Sequence, residues 1–99
     1  MKEKESLPAG AIYTMVISLD NSGKKATFYL KELTEDLYLA CRSLIDKGKD
    51  FDSVRLMLKE LHVGGDPVSV LDNNFRAVQC ARKYVSEFLE PLEGELKKN

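Results

Sequence analysis

The spacing of apolar residues changes once along this chain, and that change limits what it can fold into. In "AIYTMVISL", Tyr13, Met15, Ile17 and Leu19 alternate with Thr14, Val16 and Ser18, and after "DNSGKK" the alternation resumes in "ATFYLK" with Ala26, Phe28 and Leu30 on one face. From Thr34 onward apolar residues recur every three or four positions instead. A period of two places one set of side chains on one face of a strand, whereas a period of 3.6 makes the stripe of a helix. The sequence therefore predicts an α+β fold, an N-terminal β-hairpin followed by three α-helices and mainly helical. In a chain of 99 residues this is one domain, residues 1–99, with a flexible start over 1–10, the hairpin over 11–31, a helical part over 34–90 and a short or frayed tail over 91–99.

A four-residue turn of Asn21 to Lys24 would pair Asp20 with Lys25, Leu19 with Ala26, Ile17 with Phe28 and Met15 with Leu30, gathering the apolar side chains on one face. Two strands alone are barely stable in water. Helices, or further strands from a second copy, must cover that face.

Thr34 is placed to cap the first helix, with Glu35 and Asp36 in its positively polarised first turn. Leu37, Ala40, Cys41, Leu44 and Ile45 then form a core-facing stripe that Gly48 ends. The second helix is expected to begin after Asp50, to bury Val54, Met57, Leu58 and Leu61, and to fade at Val63 before Gly64 and Gly65. The third, capped by Asp72, sets Val78, Ala81, Val85, Phe88 and Leu92 at alternating steps of three and four, widened by Tyr84 and Leu89. Proline in a helix interior costs about 3 kcal/mol, so Pro91 should end or kink this helix near Glu90.

Composition narrows the function classes. Fifteen basic residues against sixteen acidic ones give a net charge of −1, which argues against nucleic acid, whose phosphates demand uncompensated Lys and Arg on one face. Apolar runs are too short for a membrane span, and "MKEKESLPAG" lacks a signal peptide's apolar core, so a cytoplasmic location is expected. Cys41 and Cys80 sit within helical apolar patterns and read as reduced, largely buried thiols; a disulfide or metal pair is the minority reading.

No residue set points to catalysis, a cofactor or a metal. Gly64 and Gly65 follow a helix instead of joining a strand to one, and no Lys-Ser or Lys-Thr follows, which speaks against a phosphate loop and for a helix stop. His62, the single histidine, suits the negative end of the second helix and has no second His with which to hold a metal or share a proton. Cys41 or Cys80 with His62 is the one conceivable nucleophile pair, yet both thiols suit the core better. Glu35 with Asp36 and Asp50 with Asp52 fall at helix starts, where the backbone dipole accounts for them. Arg76, Arg82 and Lys83, balanced by Glu87 and Glu90, read as a solvated helix face. The expectation is a non-enzymatic interaction protein whose partner-binding surface is the seam Val78, Ala81, Val85, Phe88 and Leu92. Open hairpin edges and that seam together predict a homodimer or larger closed oligomer.

Three stretches taken in order, "ATFYLKELTEDLYLACRSL", "LHVGGD" and "FRAVQCARKYVSEFLEPLEGELKKN", resemble the small tail assembly chaperones of long-tailed phages and prophages. The matching features are an aromatic and a basic residue leading into the first helix, an aromatic-apolar-Gly-Gly-acid step closing the middle helix (here His62, Val63, Gly64, Gly65 and Asp66), and a final helix with a small and apolar face. The resemblance spans roughly residues 12 to 98, and His62 stands where a Trp is common in the family. It implies a helper in the host bacterium's cytoplasm that binds the tape-measure protein while a tail is built, with tail-tube subunits as a second phage tail partner. The alternative from a different class is a small bacterial cytosolic adaptor or regulator acting by protein–protein interaction.

Overall fold

The computed structural model describes residues 7–99. Within the expected flexible start, residues 1–6 lie outside the described residues. The remainder of that start is anchored: Ala11 N–H donates to Pro8 O at 3.1 Å, and the Pro8 ring lies where a Cβ on Gly64 would project.

Two strands follow, β1 (Tyr13–Ser18) and β2 (Lys25–Leu30), paired antiparallel as the alternation predicts. Their register corrects the expectation by two residues: Ile17 opposes Ala26, Met15 opposes Phe28 and Tyr13 opposes Leu30. The turn lies one residue earlier than expected. Asp20 belongs inside it, its carboxylate accepting from Ser22 N–H (2.8 Å) and Ser22 O–H (2.6 Å), Gly23 takes the left-handed φ of +97°, and Leu19 N–H donates to Lys24 O at 2.8 Å. Those bonds favour Asp20–Gly23 over Asn21–Lys24 as the turn. A shift of two preserves face parity, so Met15, Ile17, Ala26, Phe28 and Leu30 all stay buried.

Helix α1 (Glu35–Asp46) starts at Thr34, whose Oγ1 accepts from Leu37 N–H at 3.2 Å. It packs with α2 (Asp50–Leu61) as a helical hairpin. Leu37 and Cys41 are buried, while Leu44 and Ile45 are half-buried. Ala40, expected on the same stripe, is exposed, because α1 leans on α2 at the margin of the molecule and only the narrow line of contact is covered.

The chain after α2 departs most from expectation. Instead of fading at Val63, the helix stops at Leu61 and His62–Gly65 form a third strand, β3, antiparallel to β2 in a sheet of order β1-β2-β3. The glycines are what let it lie there. Gly65 has a φ of +90°, and a Cβ on it would run into the Thr27 carbonyl. Asp66 completes the join, its N–H donating to Thr27 O and its carboxylate accepting from Thr27 N–H, both at 2.8 Å. One of the two open hairpin edges is thus closed by the chain itself.

Asp72 does not cap the last helix. Val68–Leu71 make a 3-10 turn that carries Leu71 into the core, and two more residues are needed to turn back out. Asn73 takes a left-handed φ of +53°, which Asn tolerates better than most residues, and Asn74 caps α3 (Phe75–Leu89) by accepting from Ala77 N–H at 3.1 Å. The helix ends before Glu90 and Pro91, as the proline requires. Helices α2 and α3 cover the apolar face of the sheet, with Phe28, Leu30, Met57, Leu58 and Val78 fully enclosed. No helix among the described residues is long and apolar enough to cross a membrane.

Candidate partner-binding groove

Among the described residues, one long strand edge is left open. Leu19 N–H bonds Lys24 across the turn, so by alternation Met15 and Ile17 also aim their backbone groups at β2, and Thr14, Val16 and Ser18 aim theirs outward. The strand that carries this edge, "YTMVIS", contains no charged residue, no proline and no glycine. Native edges are ordinarily blunted by such residues.

Beside this edge lies an open groove of about 930 Å³. Its floor and walls come from Tyr13 to Val16 on β1, from Leu33 and Tyr38 at the start of α1, and from Tyr84, Glu87 and Phe88 near the end of α3. Glu90, Pro91 and Leu92 close one side. Tyr13 is the joint: its ring meets Phe88 edge-on with centroids 4.8 Å apart, and its O–H donates to Glu32 Oε1 at 3.2 Å. The bond to the Glu32 carboxylate, with partial desolvation and the nearby negative charge, pushes the Tyr13 phenol above its ordinary range. Among the described residues, three carboxylates, Glu32, Glu87 and Glu90, line the groove and no Lys or Arg does. The result is an apolar trough with an acidic rim, bordered by unpaired strand amides.

The seam expected to bind a partner divides in two. Val78, Ala81 and Val85 are at most 2% exposed, packed in the chain's own core, so they are not free to meet another protein. Phe88 is half-buried and lines the groove, and Leu92, 96% exposed, lies beyond the helix at the groove's mouth. The heptad-like spacing is a real apolar stripe, but it packs on α2 and β1 of its own chain.

The other candidates resolve into structural roles. His62 is the C-cap of α2 and the first residue of β3; its ring stands edge-on to Phe28, and its Nε2 lies 2.8 Å from Asp66 O, where only a protonated Nε2 can donate. Cys41 and Cys80 are free thiols. Cys41 is buried, its Sγ donating to Ser53 O (3.7 Å) while Ser53 Oγ donates to Cys41 O (3.2 Å), and burial pushes its pKa up. Cys80 is only half-buried, short of the enclosure expected for it, because it flanks the buried stripe of α3. Asp50 pairs with Arg82 at 2.9 Å and ties α2 to α3; Asp52 faces Arg55 at 3.8 Å. Among the described residues no three His, Cys, Asp or Glu side chains gather as a metal site.

Tyr13, Glu32, Tyr38 and Tyr84 were not singled out from the sequence as site residues. Their signal is weak: each sits at the margin of an apolar pattern, and they meet only through the β1–β2 pairing and the crossing of α3 over β1. No family model, no curated protein and no solved structure matches this chain.

Proposed function

We propose that this chain is a non-enzymatic tail assembly chaperone of the phage and prophage type, which holds an apolar-patterned segment of the tape-measure protein while the tail is built in the host cytoplasm. The observation that carries the reading is the acid-rimmed apolar groove lying against an open, uncharged strand edge. Such a surface takes a partner segment in two ways at once: main-chain bonds to Thr14, Val16 and Ser18, and side-chain burial against Tyr13, Leu33 and Phe88. A long partner with repeated apolar positions offers many segments of this kind. The stretches that carry the family resemblance fall on β2 and α1, on the α2-to-β3 junction and on α3, elements that frame the groove or support it.

The experiment is co-expression with any long tape-measure-type protein encoded beside it, followed by affinity purification of wild-type and Phe88→Asp chains. The wild type should retain that protein and keep it soluble, and Phe88→Asp should lose it while remaining folded. Absence of such a neighbouring protein, or equal retention by both chains, overturns the proposal.

A further inference from the structure

We infer that in the absence of a partner the open edge of β1 is covered by the same edge of a second copy, in an antiparallel two-fold pairing centred on Val16. This goes beyond the proposed function and does not depend on it. Three observations converge. The outward backbone groups belong to Thr14, Val16 and Ser18, so a two-fold axis at Val16 sets Val16 opposite itself and Thr14 opposite Ser18, and each outward N–H meets a C=O. The edge also carries none of the charges or prolines that would repel a second strand.

The third observation is charge. Helix α3 is pinned along β1 at both ends, by Phe88 against Tyr13 (4.8 Å) and by Asn74 Nδ2–H donating to Leu19 O (3.1 Å). Six strand residues and fourteen helical ones both span about 20 Å, so the middle of α3, near Ala81, lies level with Val16. The flank of α3 on the open side carries Arg76 beside Ser18 and Leu19 at one end and Glu87 beside Tyr13 and Thr14 at the other. They stand five and six residues from Ala81. An axis through Val16 therefore brings Arg76 of one copy toward Glu87 of the other, twice. Neither side chain makes an ion pair within the chain among the described residues. The pairing continues the three strands of each copy into one six-stranded sheet and closes both β1 edges, which a partner segment would have to open.

Sedimentation equilibrium over a concentration series tests this, with circular dichroism checking the fold of each variant. Wild type should sediment as a dimer of the 11.2 kDa chain. Val16→Pro removes an N–H that the monomer leaves unused, and should raise the dimer dissociation constant on the order of a hundredfold with the fold intact. Arg76→Glu and Glu87→Arg alone should each raise it about tenfold, and the double exchange should restore it. A dimer indifferent to Val16→Pro, or single exchanges that the double does not repair, overturns this arrangement. So does a monomer at all concentrations. If that monomer still protects the Thr14, Val16 and Ser18 amides from exchange, the edge is covered from within the same chain.

Discussion

Phe88 meets Tyr13 edge-on at 4.8 Å and 85°, and this single contact sets the last turn of α3 over the first residue of β1. It defines the groove. Tyr13 is held from its other end by Glu32, so its ring cannot swing away without losing both partners. Replacing Tyr13 with Ala should lower the midpoint of chemical denaturation through loss of the aromatic pair and the bond to Glu32. Tyr13→Phe should recover most of it.

The Tyr13–Glu32 bond also has a pH signature. The folded-state phenol titrates above its ordinary value of 10.0, so the native state binds its proton more tightly than the unfolded chain does. The resulting contribution is fully present below about pH 10 and is lost as the pH rises through the folded-state value. Ultraviolet titration of the four tyrosines should show one phenol ionising late, and Glu32→Gln should bring it back toward the ordinary range.

Gly65 and Gly94 should behave oppositely. Gly65→Ala places a Cβ against the Thr27 carbonyl with φ at +90° and should cost roughly 1–3 kcal/mol. Gly94→Ala meets nothing within 4 Å and has no positive φ, so it should leave the thermal midpoint unchanged.

The start of α3 gives a matched pair. Asn74 both caps the helix and bonds Leu19 O, whereas Asp72 lies outside the helix. Asn74→Ala should destabilise by about 1–2 kcal/mol and Asp72→Ala should not lower helix content.

These positions show what could be read from the sequence. Thr34, Leu37 and Cys41 follow rules acting within one helical turn, and the alternation from Tyr13 to Leu30 assigns buried faces through parity, which survives a register error of two. β3 could not be read the same way. Val63 and two glycines make a poor strand by local preference, and they pair only because β2 offers an edge and Pro8 and Thr27 leave room for nothing larger than glycine. The cap at Asn74 in place of Asp72 has the same origin, since burial of Leu71 decides where the helix can begin. The seam on α3 was legible as a stripe, but periodicity says that Val78, Ala81 and Val85 face something apolar and not whether it belongs to this chain.

On the proposed function, a partner segment enters the groove and pairs with the open β1 edge. Amide hydrogen exchange on the Phe88→Asp and wild-type chains, each with and without the co-expressed tape-measure-type protein, reads out this contact residue by residue. In wild type, Thr14, Val16, Ser18, Leu33 and Tyr84 should slow further in the complex than in the partner-free protein, while α1 from Arg42 to Asp46 stays unchanged, and Phe88→Asp should show no difference. Protection confined to the α1–α2 hairpin, with the β1 edge exchanging as before, would place the partner elsewhere on the chain and overturn the groove as its site.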